Sequence, residues 1–201
     1  MLREDQKFIA NLIEPKSKII DIGCGEGELL SYLAVEKNIS GHGIEIEPER
    51  VSRAVGQGLS VIQGDADRDL QYYPENGFDY ALMILTLQNM KAPKQVLEEA
   101  LRIAKRVIIT IPNFGHVQNS IYLMLNGRMP VTKSLSYQWY DTPNIHFCSI
   151  RDFILLADEV DAKIRQQFYV NSCDEIKKFK GKKPRRANLF GRSGIFVLEK
   201  K

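Results

Sequence analysis

The stretch Asp21-Ile22-Gly23-Cys24-Gly25-Glu26-Gly27 decides the fold. It follows Lys18–Ile22 (KIIDI), a short β-branched run that reads as a buried strand. It opens Gly27–Lys37, where Leu29, Leu30, Leu33 and Ala34 share one helical face. Alternate glycines between a strand and a helix permit a tight turn and let a ligand approach the main chain closely. The helix start adds unpaired N–H groups. The pattern is G-x-G-x-G preceded by Asp, not the G-x-G-x-x-G of dinucleotide folds, because position 28 is Glu. A carboxylate at Asp21 beside the turn suits a ligand with a positive centre better than a pyrophosphate.

Outward from the turn, strands and helices alternate. Residues 3–13 place Phe8, Ile9, Leu12 and Ile13 at helical spacing, and Pro15 stops that helix. Downstream come a strand at Gly43–Ile46, a helix at Pro48–Gln57, a strand at Leu59–Ile62 and the almost wholly apolar strand Phe78–Leu85. A helix at Pro93–Ala104 and a strand at Arg106–Ile111 follow. This β-α-β-α-β-β-α-β rhythm predicts an α/β fold with parallel strands and helices on both faces. Helices at Val117–Leu125 and Ile150–Val160 and strands at Ala162–Val170 and Ser193–Lys200 complete the reading.

Composition bounds the rest. With 201 residues, a single domain (1–201) is expected, carrying an insertion at about 113–148. The longest wholly apolar run is Ala81–Leu85, too short to span a membrane, and the first 16 residues lack a signal-type apolar stretch. Cys24, Cys148 and Cys173 form no C-x-x-C, which argues against a disulfide framework or zinc knuckle and fits a reducing cytoplasm. No His, Cys, Asp and Glu set has metal-ligand spacing, so no metal is expected. The net charge of +3 hides eight Lys and Arg without an acid in residues 177–192, leaving −5 elsewhere. Only Phe179 and Phe190 interleave that run, so it reads as a solvated connection between the last two strands rather than a nucleic-acid site.

Three successive strand ends carry the ligand chemistry. After the glycine turn (Asp21, Gly23, Cys24, Gly25, Gly27), the second strand ends in Glu45, whose carboxylate can accept both hydroxyls of a ribose. The third ends before Asp65, placed to accept an adenine amino group, with Ile46 and Ala66 flanking the ring. Leu85 closes the fourth strand beside them. S-adenosylmethionine has the required cationic centre, ribose and adenine, and it or S-adenosylhomocysteine is the expected cofactor. Cys24 reads as a small side chain that fits the turn rather than a nucleophile. His42 reads as structural, and no G-x-S-x-G marks an acyl-transfer serine.

These motifs resemble the class I S-adenosylmethionine-dependent methyltransferases. The resemblance implies a doubly wound, mostly parallel seven-stranded sheet of Rossmann type with its last strand antiparallel. The likeness is closer to one family. DIGCGEGELL, GIEIEPE, PNFGH (112–116), GRMPVTK (127–133), WYDTPNIHFCSIRDF (139–153) and ANLFG (187–191) together resemble the methionine biosynthesis MetW family, over about residues 4–200. That resemblance implies a cytoplasmic accessory role in methionine biosynthesis beside homoserine O-acetyltransferase. It implies no established methyl transfer. The alternative is an active methyltransferase on a small-molecule acceptor, although Leu85-Thr86-Leu87-Gln88-Asn89 offers no compelling base.

The insertion supplies the partner or lid residues: Asn113, His116, Arg128, Trp139, Tyr140, Asp141, Asn144 and His146. Aromatics with Arg suit an interface whose anchors are of those types. The segment is expected to form an ordered surface over the strand ends, with acceptor access given up for a partner. His116 and His146 each read more readily as hydrogen-bonded structural histidines than as bases.

Overall fold

The computed structural model describes residues 2–132 and 135–201; Lys133 of the GRMPVTK motif lies outside them. The elements in chain order are α1 (Glu4–Leu12), β1 (Lys18–Ile22), α2 (Glu28–Lys37), β2 (Ser40–Glu45), α3 (Pro48–Gly56), β3 (Val61–Gln63), α4 (Ala66–Asp69) and β4 (Phe78–Ile84). Then come α5 (Pro93–Ile103), β5 (Ala104–Pro112), α6 (Val117–Asn126), α7 (Ile150–Glu159), β6 (Ala162–Asn171), β7 (Ile176–Lys178), α8 (Arg185–Phe190) and β8 (Gly191–Lys200).

The strands form one sheet in the order β3-β2-β1-β4-β5-β8-β6-β7. The β3-β2-β1-β4-β5 block is parallel, and β8 lies antiparallel between β5 and β6. The sheet thus has eight strands where seven were expected. The extra one, β7, pairs antiparallel with β6 through Phe168↔Lys178 and Val170↔Ile176. It lies in the Lys-rich run read as a solvated connection. That run also contains α8 and is partly neutralised: Lys182 meets Asp158 at 2.7 Å and Lys177 meets Glu175 at 2.8 Å. Lysines on an outermost strand oppose edge-to-edge pairing with another chain.

The two-residue period of the strands sorts the core into two layers. Ile20 and Ile22 of β1, Ala81 and Met83 of β4, Val107 and Ile109 of β5, and Phe196 and Leu198 of β8 pack with α5 and α7 on one face. Their neighbours Ile19, Tyr80, Leu82, Ile108, Ile195 and Val197 pack with α1 and α2 on the other. Both faces are therefore covered, which is why β1 and β4 read as apolar runs. The order reverses between β1 and β4, the switch point at which open α/β sheets bind ligands.

Candidate functional site

The glycine turn sits at that switch point. Ile44 O of β2 accepts the N–H groups of both Gly23 (2.8 Å) and Cys24 (3.2 Å), which fixes the turn against the second strand. Gly23, Gly25 and Gly27 all have positive φ (72°, 59° and 79°), a region costly for other residues. The three differ in what surrounds them. A Cβ on Gly23 would stand 2.4 Å from Thr86 Cγ2, and one on Gly27 would stand 2.3 Å from Leu59 Cδ1. A Cβ on Gly25 would meet nothing within 4 Å. Gly25 is therefore where the turn opens to space.

Glu45 is 5 % exposed and turns back on the main chain. Its Oε2 accepts the Gly25 N–H at 2.8 Å, and its Oε1 accepts those of Ile46 (2.9 Å) and Glu47 (3.0 Å). A carboxylate has about four lone-pair sites, so roughly one remains for a ligand hydroxyl. The expectation that Glu45 takes both ribose hydroxyls thus requires a main-chain bond to be exchanged. Asp21 is 3 % exposed. Burial, reinforced by the Glu45 charge, raises its pKa from 3.8 to about 7. Burial, then the charges of Asp21 and Glu45, push the Cys24 thiol up to about 12, which leaves no thiolate for nucleophilic work. Cys24 also fills the space left by Gly43, where a Cβ would stand 2.3 Å from its Sγ.

Asp65 begins α4, its Oδ1 accepting the Asp67 N–H at 3.1 Å, while its own N–H donates to Asp69 Oδ2 at 2.7 Å. Ile46 is 58 % exposed and Ala66 is buried. Leu85 has φ +56°, unusual for a branched residue, and its N–H is held by Thr110 through both Oγ1 (2.8 Å) and O (3.2 Å). Thr86 and Thr110 were not singled out in the sequence. Their roles depend on β1, β4 and β5 lying side by side, which no local pattern records.

In the insertion, Asn113 and His116 are buried. Asn113 Nδ2 donates to Asn188 O (2.7 Å) and Gly191 O (2.6 Å), while its Oδ1 accepts from Gly115 (3.1 Å) and Ile150 (3.2 Å) N–H groups. His116 Nδ1 accepts the Gln118 N–H (3.2 Å), so Nε2 carries the proton and donates to Ser172 Oγ at 3.3 Å. Burial and nearby Arg192 lower the His116 pKa, keeping it neutral. These two residues tie the segment down rather than facing a partner, because burial takes their side chains off the surface. Arg128, Asp141 and His146 are exposed, as are Trp139 and Tyr140 at 70 % each, packed edge-to-face at 5.7 Å. Asn144 is half-buried. The main-chain N–H groups of Ile145 and His146 donate to Gln88 O (3.1 and 3.0 Å), pinning the insertion above the end of β4. A cavity of about 760 Å³ stays open between them, bounded by Leu85, Pro112, Tyr137 and Ser193.

The model of the family described as methionine biosynthesis protein MetW matches residues 3–198. The chain belongs to the MetW family. The bifunctional methionine biosynthesis protein MetXA/MetW of Rhodopirellula baltica is 28% identical over 84% of this chain and 28% of its own length. Ajmaline N-methyltransferase of Rauvolfia serpentina is 25% identical over 75% of this chain and 55% of its own. The chain thus spans between about a quarter and about half the length of these relatives. Among solved structures, a SAM-dependent methyltransferase of Thermotoga maritima superposes with a TM-score of 0.69 at 22% identity, over 98% of this chain and 88% of that one. One from Archaeoglobus fulgidus gives 0.65 at 14% identity, over 97% and 94%. The 4+2 cyclase SpnF gives 0.69 at 17% identity, over 97% and 79%. At these identities the likeness establishes the fold, and a cyclase among the matches illustrates that this fold does not dictate one reaction. Among the described residues, no helix is long and apolar enough to cross a membrane, and no group of three or more His, Cys, Asp or Glu could hold a metal ion.

Proposed function

We propose that this MetW family member binds S-adenosylmethionine and acts in methionine biosynthesis as an accessory of homoserine O-acetyltransferase. The observation that carries the cofactor reading is the open face of Gly25, flanked by the buried carboxylates of Asp21 and Glu45. The residues fit the group. Asp21 and Glu45 supply negative charge beside a cationic amino acid moiety. Glu45 retains acceptor capacity for a ribose hydroxyl, and Ile46 and Asp65 stand ready for the adenine. The accessory reading is supported by the R. baltica relative, whose name joins MetXA and MetW in one protein. Trp139, Tyr140 and Arg128 supply exposed groups of the kinds that anchor interfaces. Calorimetric titration with adenosylmethionine tests the pocket: saturable heat is expected, and no heat at millimolar ligand contradicts it.

The cavity beside Leu85 favours a second reading, methyl transfer to a small molecule. The bound cofactor would supply an electrophilic methyl group there. Labelled methyl incorporation into extract metabolites separates the two readings.

A further inference from the structure

Leu85 stands in a conformation that its side chain disfavours. Its φ is +56°, in the left-handed region, where a bulky residue is an outlier. Among the described residues, the other non-glycine positions with positive φ are Lys16, Asn38, Asn76, Asp161 and Asp174. Four of those are Asn or Asp, whose short polar side chains visit this region more readily. Backbone strain of this kind persists only where the surroundings enforce it, and it gathers at ligand clamps and switch segments.

The enforcing group is Thr110. The parallel ladder between β4 and β5 ends on Ile84↔Thr110. One residue further, the Leu85 N–H donates to Thr110 Oγ1 at 2.8 Å as well as to Thr110 O at 3.2 Å. Thr110 is 1 % exposed, which shields that bond from water.

The segment that Leu85 begins touches both halves of the site. Thr86 Cγ2 fills the space beside Gly23, where a Cβ would stand 2.4 Å from it. Thr86 Oγ1 donates to Ile84 O at 3.2 Å and Gln88 Nε2 to Leu85 O at 2.6 Å, which folds the segment onto itself. Gln88 O accepts the Ile145 and His146 N–H groups of the insertion. A rotation of the Leu85 backbone would therefore shift Thr86 against Gly23 and Gln88 O against the insertion together.

We propose that Thr110 is a positioning residue. By holding Leu85 left-handed, its hydroxyl keeps Thr86 against the glycine turn and Gln88 beneath the insertion. The half that concerns the turn rests on the cofactor reading; the half that concerns the insertion does not.

The experiment compares Thr110→Val, which nearly keeps the shape and loses the hydroxyl, with Thr110→Ser, which keeps the hydroxyl and loses the methyl. Amide hydrogen exchange of Ile145 and His146, followed by NMR, is read against that of Ile19 and Ile20 in β1. A general loss of stability would speed both pairs. Thr110→Val should speed exchange at 145–146 by about tenfold relative to β1, while Thr110→Ser stays within about threefold of the parent. Leu85→Asn, which suits positive φ, should shrink the effect of Thr110→Val several-fold. Adenosylmethionine affinity should fall about tenfold in Thr110→Val and be kept in Thr110→Ser. If Thr110→Val fails to fold, Thr110→Ala against Thr110→Ser, which differ only in the hydroxyl, carries the test. Exchange at 145–146 that rises no more than in β1, a Ser variant as impaired as the Val variant, or strictly additive effects with Leu85→Asn would overturn the proposal. So would an unchanged adenosylmethionine affinity in Thr110→Val when the parent binds. A parent that gives no adenosylmethionine heat rejects the cofactor reading alone, and the exchange comparison still decides the role of Thr110.

Discussion

The Glu45 carboxylate accepts the main-chain N–H of Gly25 at 2.8 Å, so the acid at the end of β2 and the glycine turn after β1 form one unit. A substitution at either residue therefore acts on the turn's shape as well as on the proposed cofactor site.

Glu45→Ala removes the acceptor for three main-chain N–H groups. Hydrogen bonds to a charged group contribute about 1.5–3 kcal/mol each and are not additive, so a net loss of about 3 kcal/mol is expected. For a chain of this size that corresponds to a fall of roughly 10 °C in Tm. Thermal denaturation measures it, and the adenosylmethionine affinity of the folded variant should fall as well.

Gly25→Ala and Gly27→Ala should part company. Both pay about 1–2 kcal/mol for positive φ. Only Gly27→Ala also collides with Leu59, at about 1–3 kcal/mol more. The expected outcome is a larger Tm loss for Gly27→Ala. Gly25→Ala should show the more selective loss of cofactor binding, because its methyl enters the open space a ligand needs.

Asp21 sets a pH dependence. Its folded pKa is about 7 against an ordinary 3.8. Between these values the folded state holds more protons than the unfolded one, so stability falls as pH rises from about 4 to about 7, by at most about 1.4 kcal/mol per pH unit. Below that window the contribution is complete, and above it the cost is fixed. Asp21→Asn should flatten this slope in denaturant titrations at several pH values. A cationic ligand favours the ionised carboxylate, so adenosylmethionine should bind more tightly as pH rises through 7, and less steeply in the Asn variant.

The insertion holds two kinds of residue. Asn113→Ala removes four hydrogen bonds, two of them fully buried, and should cost about 2–4 kcal/mol of stability. Trp139→Ala touches an exposed ring and should stay within about 0.5 kcal/mol of the parent in stability. It should nonetheless weaken association with the acetyltransferase by about 1–3 kcal/mol. Denaturant melts and a binding titration on the same two variants check both halves.

The parallel half of the fold was legible because buried strands and amphipathic helices carry strong periods. Helix α5 was expected at Pro93–Ala104 and found at Pro93–Ile103, and β5 was expected at Arg106–Ile111 and found at Ala104–Pro112. Strand β7 was not legible. Ile176-Lys177-Lys178 has no apolar alternation and becomes a strand only because β6 presents an open edge beside it. The start of β2 was missed for a related reason: Ser40, Gly41 and His42 are poor strand formers, ordered by pairing with Lys18, Ile19 and Ile20. At the site, the residue types and their strand-end spacing were readable. The bond from the Gly25 N–H to Glu45 and the burial of Asn113 were not, since each depends on segments distant in sequence.

The central claim is an adenosylmethionine-binding protein that docks on homoserine O-acetyltransferase. Size-exclusion chromatography of the two purified proteins mixed, with and without adenosylmethionine and with acetylation assayed on the fractions, tests it most directly. The account predicts one co-eluting peak with raised acetyltransferase activity or stability. Two separate peaks and unchanged acetylation at high protein concentration would contradict it.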